Sequence, residues 1–498
     1  IWKGFEILAA KSTPIFPDLI NQPLDKLTKL LAKLLKELDI PNLPYLQAMV
    51  KETIRLHPSA PMMQRSSRKD CIVGGYLIPA KTTIFVNVWS LGRDPTYWES
   101  PLEFQPERFE EKQVDVRGQH FNLLPFGSGK RMCPGISLGL MCFTWKAGKY
   151  GNLNSVDMEE GVGLTLPIAN PLVCVPVAQL NPLPLSHIIT LKILLIMNGD
   201  FQSNTIVIII CISSAMIIWK LYKSWGGLDI HLPPTPFRLP IIGHLHLLAP
   251  SVHRAFHKLS IRYGPMFRIY LGSTPCVVIS SPDMAKEIFK VHENAFLNRP
   301  YNSTINYMSY GGQGFIFGPY GSYWKFMKKI TMSYLLNGKT LDLLLPIRRD
   351  EINHFIKKLS QNAKLGKSVE LEVELGKLTS KLILRMVTGK RCSEDEDEIG
   401  DIMEIMADVD KLFGKFNLSD HIWFCKNLDL QGLRKKSMNI RIRFDVLMER
   451  ILKECEETRK QKMETGEVKD LLNILLDILE DESMEIKLTR ENIKAFIL

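Results

Sequence analysis

The sequence lacks a disulfide framework. Its 498 residues contain nine cysteines, an odd number, with no C-x-x-C pair. Secreted domains carry paired cysteines at close spacings, so this pattern is typical of a reduced compartment. Most of the nine are predicted to be small buried side chains. They are Cys71, Cys133, Cys142, Cys174, Cys211, Cys276, Cys392, Cys425 and Cys455.

The sequence also lacks a block of positive charge of the kind that binds nucleic acid. The formal net charge is +10, but the lysines and arginines are spread along the chain and alternate with acidic runs such as 394–398. Nucleic-acid-binding domains concentrate cations on one face, so we expect no nucleic-acid partner. A basic face for an anionic membrane or an acidic electron donor fits this charge better. The composition, 45% hydrophobic and 23% charged, is that of a globular protein.

Long apolar runs are also scarce, and one stands out. Residues 205–219 carry no charge, and the run extends to Tyr222 when Lys220 directs its amine outward. Eighteen helical residues reach about 27 Å, which is enough for a thin bilayer. The sequence predicts a single-pass anchor over about 205–222 in the endoplasmic reticulum membrane. A buried core helix is the alternative.

The lysines that follow this run predict its orientation. Lys220 and Lys223 place the residues after the span on the cytoplasmic side. Residues 1–190 and 230–498 are then expected on opposite sides of the membrane. Under that topology one chain cannot build one binding site from both parts.

The most specific motif is the run FGSGKRMCPG at residues 126–135, which fits F-x-x-G-x-R-x-C-x-G. A cysteine that binds heme iron needs a loop that approaches the porphyrin closely, and glycines allow this. It also needs backbone N–H groups near the sulfur. Arg131 can pair with a heme propionate. A Gly-rich turn around a core cysteine is the alternative. The motif positions are Phe126, Gly129, Arg131, Cys133 and Gly135.

A second motif lies upstream. Glu52 and Arg55 are three residues apart in a helical pattern that stops at His57–Pro58, so they share one helix face. Arg108, in the run PERF, follows about fifty residues later. We expect Arg108 to complete a buried network with Glu52 and Arg55, tolerated because its charges satisfy one another. Its predicted role is structural.

The three motifs, in this order and spacing, resemble the cytochrome P-450 family over residues 39–181. Residues 200–498 resemble the amino-terminal half of the same family, with an anchor, a Pro-rich hinge at 233–236, and Trp324 and Lys328 in its W-x-x-x-[RK] motif. The resemblance implies a mainly helical fold with a small β portion. It also implies a heme b cofactor, oxygen as co-substrate and NADPH-cytochrome P-450 reductase as electron donor.

The resemblance also implies residue roles. Cys133 becomes the axial ligand of the heme iron, and Arg65, Trp324 and Lys328 contact the heme propionates. On its own, Trp324 reads as an ordinary core aromatic. No catalytic acid–threonine pair is identified, because the A-G-x-[DE]-T motif that delivers protons to oxygen in this family is not found; Glu457–Thr458 is the nearest pair.

Two further runs are similar to plant microsomal enzymes that modify flavonoids. They are IPNLPYLQ at 40–47 and VDMEEG at 156–161. This similarity implies a small planar phenolic substrate that is hydroxylated or desaturated. The implied substrate-facing stretches are 59–63 and 308–317.

The order of the parts departs from the family, which has the anchor first and the cysteine loop last. The sequence therefore predicts an incomplete and permuted fold. Only eleven residues separate Cys133 from Trp145, so the helix beneath the heme is expected to be short, and the chain ends at Leu498 within an apolar helix start. The predicted segments are a leucine-rich helical segment 1–38, a heme-thiolate half 39–181, a junction 182–199, an anchor 200–228 and an amino-terminal half 229–498.

The sequence is compatible with three functions. The encoded chemistry is heme-dependent monooxygenation of a flavonoid or related plant phenolic. The alternatives are a heme-binding pseudoenzyme and a non-functional fusion of two neighbouring gene fragments. Met197 precedes the anchor as an initiator methionine would, which favours a fusion.

Overall fold

A computed structural model of the chain describes part of its length. The described residues are 44–111, 114–136, 173–174, 231–248, 251–365, 369–388, 396–413, 415–426, 428–461, 471–481 and 483–497. The segments 1–38 and 182–199 and the anchor at 205–222 lie outside them. Within the described ranges no helix is long and apolar enough to cross a membrane.

The helices and strands belong to one compact unit, Ile1–Pro176 with Pro233–Leu498. A second unit, Val177–Leu232, has only residues 231 and 232 among those described. The strands are β1 (Met62–Ser66), β2 (Cys71–Val73), β3 (Tyr76–Ile78), β4 (Thr83–Asn87), β5 (Val173–Cys174), β6 (Met266–Leu271), β7 (Thr274–Ile279) and β8 (Val369–Glu370).

Helices are the main type of secondary structure in the described chain, as the family resemblance implies. The α-helices are α1 (Pro44–Leu56), α2 (Val88–Leu91), α3 (Arg108–Glu111), α4 (Val252–Tyr263), α5 (Pro282–Lys286), α6 (Ser303–Met308), α7 (Ser322–Ile330), α8 (Gly338–Leu343), α9 (Leu345–Lys364), α10 (Leu371–Thr388), α11 (Glu396–Phe413), α12 (Leu418–His421), α13 (Leu433–Gln461), α14 (Leu471–Glu480) and α15 (Arg490–Ile497). Shorter 3₁₀ and π turns include Gly129–Arg131, Glu287–Val291 and Glu293–Phe296.

Local sequence accounts for the ends of α1 and the position of α13. Helix α1 buries Met49, Val50 and Ile54 and ends just before His57–Pro58, because the residue before a proline is disfavoured in helical backbone. The long amphipathic run after Leu433 forms α13, which buries Phe444 and Leu452.

The main sheet has the strand order β1-β4-β7-β6 and joins the two parts of the chain. Strand β4 pairs antiparallel with β1, and β6 pairs antiparallel with β7. The central pair, β4 and β7, is parallel, with Thr83 opposite Cys276 and Val86 opposite Ile279. The short strands β5 and β8 also pair across the two parts, with Val173 opposite Glu370.

The predicted placement of residues 1–190 and 230–498 on opposite sides of a membrane is therefore wrong. Paired strands lie about 4.8 Å apart, whereas a bilayer core is about 30 Å thick. Positive charges after an apolar run indicate the orientation of a span, but they carry no information on long-range strand pairing.

The core beneath this sheet is built from both parts as well. Ile84 and Val86 of β4 pack with Ile279 of β7 and with Ile288, all of them fully buried. Removing one such side chain from water contributes roughly 1.5–3 kcal/mol. Shared burial and shared strand pairing thus hold the cysteine loop against residues that follow it by more than a hundred positions.

Candidate functional site

Cys133 lies just after the 3₁₀ turn Gly129–Arg131. Its backbone N–H donates to the carbonyl of Phe126 at 2.9 Å, and this bond closes the loop of residues 126–135, here the Cys133 loop. Gly127 and Gly129 have φ angles of 75° and 72°, in the left-handed region that favours glycine. A Cβ on Gly135 would lie 3.9 Å from the Cys133 sulfur, so glycine keeps the space beside the sulfur open.

The Cys133 thiol is half-buried, and this burial determines its acidity. Burial raises the pKa of the Cys133 thiol, and a hydrogen bond with the backbone of Gly135 lowers it by less. A thiol that binds a metal must first lose its proton. The glycine-flanked, half-buried sulfur suits a metal that displaces this proton.

In the heme-free chain we expect Cys133 to be alkylated more slowly in the folded protein than in urea. The thiolate is the nucleophile, and a raised pKa leaves the neutral thiol predominant at neutral pH. The labelling rate of the folded protein should then still be rising as the pH passes 9.0, the usual pKa of a thiol. Peptide-resolved iodoacetamide labelling at pH 7 to 10 measures this. Equal rates in folded and unfolded protein at pH 8 would contradict the burial argument.

The predicted network of Glu52, Arg55 and Arg108 is present in the structure. Arg55 Nε donates to Glu52 Oε2 at 2.7 Å, and Arg108 Nε donates to Glu52 Oε1 at 3.2 Å. The backbone N–H of Gln105 also donates to Glu52 Oε1, at 2.8 Å. Arg55 in turn donates to the carbonyl of Pro101 at 2.7 Å. The network ties α1 to the chain that leads into the Cys133 loop, and its structural role stays a prediction.

Replacing Glu52 by alanine should destabilise the protein by about 3–5 kcal/mol, because it leaves two buried guanidiniums without their carboxylate. Both the Glu52 and Arg55 side chains are 0% exposed. The midpoint of urea unfolding measures the loss, with Glu110→Ala, on an exposed carboxylate of α3, as control. If the two variants unfold at the same urea concentration, the network does not hold the loop.

Three arginines lie close to the Cys133 loop, of which Arg65 and Arg131 are buried and Arg299 is partly buried. Arg131 Nε donates to the carbonyl of Leu297 at 3.0 Å and Arg131 Nη2 to that of Gly318 at 2.7 Å. Arg131 Nη1 is buried and has no hydrogen-bond partner among the described residues. Arg299 Nη1 donates to the carbonyl of Gln64 at 2.7 Å, and within the described part of the chain the buried Arg299 Nε has no partner. Arg65, 2% exposed, completes this arginine cluster.

The arginine cluster carries excess positive charge. Burial and, to a smaller extent, the charge of Arg299 lower the pKa of Arg131 to about 10. Burial likewise lowers the pKa of Arg299 to about 10. The pKa of Arg65 lies well below its usual value because of burial and then the charges of Arg299 and Arg131. A site of this kind is stabilised by an anion that can accept several hydrogen bonds.

Helix α7 brings Trp324 and Lys328 to the same place. Trp324 Nε1 donates to the carbonyl of Phe315 at 2.9 Å, and the Arg131 guanidinium lies 4.3 Å from the Trp324 ring centre. The Lys328 amine donates to the carbonyl of Lys130 in the Cys133 loop. Burial lowers the pKa of Lys328, and the charge of Arg131 adds to this effect. Both side chains thus sit beside Arg131, and their contact with propionates stays a prediction.

These residues fit a heme. Cys133 offers a sulfur beside glycine backbone, and Arg131 and Arg299 each offer a buried N–H group that has no acceptor in the ranges that the structure describes. Cys133 would hold the iron, and the arginine cluster with Lys328 would hold the propionates.

The sequence gives no indication of Arg299, because a single arginine before a proline carries no periodic or motif signal. Only the pairing of distant segments brings it to Arg65 and Arg131.

The two predicted substrate-facing stretches border this site. In the stretch 59–63, the sulfur of Met63 lies close to Gly127 of the Cys133 loop, since a Cβ added to Gly127 would be 3.1 Å from it. In 308–317 the ring of Phe315 stacks on Trp324, with ring centres 5.5 Å apart. Both stretches are thus close to the predicted heme contacts.

A sequence profile decides the family. The cytochrome P450 profile matches residues 29–144 and 233–498, well over half of the chain. The chain belongs to the cytochrome P450 family. The mainly helical fold with a small sheet, expected from the resemblance, is therefore confirmed at the level of the family, and a P450 implies a heme cofactor.

Several plant P450 enzymes are similar to this chain. Cytochrome P450 93A3 of Glycine max is 48% identical over 303 residues, which cover 60% of this chain and 59% of the relative. The 3,9-dihydroxypterocarpan 6A-monooxygenase of Glycine max is 42% identical over 302 residues, covering 59% and 58%. Beta-amyrin 24-hydroxylase of Glycine max is 38% identical over 302 residues, covering 60% and 58%. The matches thus span less than two thirds of these relatives.

Proposed function

We propose that the chain encodes heme-thiolate monooxygenation. The observation that carries this proposal is the juxtaposition of the Cys133 loop with two buried guanidinium nitrogens, Arg131 Nη1 and Arg299 Nε, which have no acceptor among the described residues. When bound, heme b would supply reductive activation of oxygen with electrons from NADPH-cytochrome P450 reductase. Cys133 would ligate the iron, and Arg65, Arg131, Arg299 and Lys328 would orient the propionates. Phe126, Gly129 and Gly135 would shape the loop around the sulfur.

The proposed substrate is a flavonoid or related plant phenolic. The similarity to an enzyme named for 3,9-dihydroxypterocarpan supports a fused-ring phenolic. The similarity to an enzyme named for beta-amyrin supports a second candidate, a polycyclic alcohol without a phenol group. Residues 59–63 and 308–317 would form part of the pocket.

Titrating the heme-loaded chain with each compound distinguishes the two classes without requiring turnover. A ligand that enters the pocket changes the heme absorption spectrum. We expect dihydroxypterocarpan and flavanones to give a saturable change at lower concentration than beta-amyrin. Tighter binding of beta-amyrin would assign the chain to the second class, and no change with either compound would reject both.

The proposed location is the endoplasmic reticulum membrane, with the anchor at about 205–222. The apolar run followed by Lys220 and Lys223 supports it. Carbonate washing of microsomes should leave the full chain in the membrane and release a variant lacking residues 200–228. Release of both forms would reject the anchor.

We further propose that two family halves stand in swapped order. The order of the Cys133 loop and the Trp324 helix along the chain supports this. A single transcript spanning Val177 to Asp200 would support a real permuted protein, and two separate transcripts would favour a fusion of gene fragments. A pseudoenzyme would bind heme and yet turn over no substrate.

A further inference from the structure

One carboxylate contacts the backbone of the Cys133 loop from the other part of the chain. Glu293, in the turn Glu293–Phe296, accepts the backbone N–H of Lys130 through its Oε1. Its Oε2 lies 3.8 Å from the Lys130 amine, which also donates to Asn294 Oδ1 at 2.8 Å. A backbone N–H that meets a carboxylate makes one of the stronger protein hydrogen bonds. The contact joins residues 163 positions apart.

Gly129, the residue before Lys130, packs closely against the Glu293 carboxylate. A Cβ on Gly129 would overlap Glu293 Oε1, and Gly129 has a φ of 72°. The backbone conformation favours glycine at this position, and any larger residue would displace the Glu293 carboxylate from its present place. The side chain of Glu293 is 23% exposed, so water competes only in part for its oxygens.

The loop is held on both sides of Lys130. The Lys130 N–H meets Glu293, and the Lys130 carbonyl accepts the Lys328 amine. One residue further, Arg131 Nε donates to the carbonyl of Leu297, in the same segment as Glu293, at 3.0 Å. The Met132 N–H donates back to the Gly129 carbonyl at 3.0 Å. The residue directly before the cysteine is therefore hydrogen-bonded to the same turn.

We propose that Glu293 is a positioning residue for Cys133. By holding the Lys130 amide, it fixes the short turn whose far end carries the sulfur, relative to the arginine cluster. The inference rests on the proposed heme-thiolate function. Without this bond the turn would move more freely, and Cys133 would hold the heme iron less firmly.

The test compares Glu293→Ala, which removes the acceptor, with Glu293→Gln, which keeps one acceptor oxygen. In Glu293→Ala the amides of residues 130–133 should exchange hydrogen about tenfold faster, as expected for loss of one charged hydrogen bond. The reduced carbon monoxide complex should convert from the red-shifted thiolate band to the thiol-type band about tenfold faster as well. Glu293→Gln should restore most of both properties.

Glu287→Ala is the matched control. Glu287 Oε2 accepts the N–H of Gly74 at 2.7 Å, so it also joins the two parts of the chain through a carboxylate–amide bond, but away from the Cys133 loop. We expect it to leave exchange at 130–133 and the band conversion unchanged. Equal behaviour of Glu293→Ala and wild type, or of Glu293→Ala and Glu287→Ala, overturns the inference. A wild-type chain without any thiolate band instead rejects the heme-thiolate function, and the exchange of residues 130–133 in the heme-free chain still tests the contact.

Discussion

Cys133→Ser should abolish the red-shifted thiolate band of the reduced carbon monoxide complex. That band reports a thiolate bound to the iron, and a serine hydroxyl stays protonated and is a poor donor to it. Cys133 is the cysteine that the structure places on a glycine-flanked loop beside the arginine cluster. Residual heme held by the arginines would show another spectrum.

Cys71→Ala serves as the control for this result. Cys71 is also buried, at the start of β2, but it packs in the core under the main sheet. The control should keep the thiolate band, and a folded Cys133→Ser variant should lose it at unchanged secondary structure. Survival of the band in Cys133→Ser would show that another residue ligates the iron.

We expect the electrons from NADPH to be coupled poorly to product formation. The 498 residues contain no A-G-x-[DE]-T motif, and we expect the heme-loaded chain with the proposed reductase to form hydroxylated product at a rate about 10²–10⁴-fold below that of the pterocarpan monooxygenase. A positioned acid and hydroxyl normally supply the proton needed to cleave the O–O bond. Without them, the two electrons from NADPH and two protons convert oxygen to hydrogen peroxide.

Product, hydrogen peroxide and NADPH consumption measured in one reaction check this expectation. We expect peroxide to account for most of the NADPH consumed. The pterocarpan monooxygenase, assayed with the same reductase, is the reference for a coupled enzyme. Well-coupled hydroxylation by this chain would mean that other residues deliver the proton, and it would exclude the pseudoenzyme.

Local features of the fold were predictable from sequence, and the pairing of distant segments was not. Helix α1 followed from its apolar spacing and the stop at His57–Pro58. The contact of Glu52 with Arg108 followed from the order of two short motifs. The parallel pairing of β4 with β7 depends on side-chain fit over about 190 residues of separation, which no local pattern encodes.

Some residues of the candidate site are likewise identified by a local motif, and others come together only in the tertiary structure. Cys133 and Arg131 stand in one ten-residue motif, so the sequence identifies them directly. Arg299 and Glu293 come to the loop only through tertiary structure, and an isolated arginine or glutamate in a sequence resembles any solvent-exposed charge. Their proposed roles rest on a guanidinium nitrogen without an acceptor among the described residues and on a contact with the loop backbone.

The most direct test of the account is the heme content and carbon monoxide spectrum of the full chain. If residues from both parts build one heme-thiolate site, we expect one heme per chain, with the reduced carbon monoxide complex showing the red-shifted thiolate band. A chain that folds and binds no heme, or binds heme without that band, would contradict it.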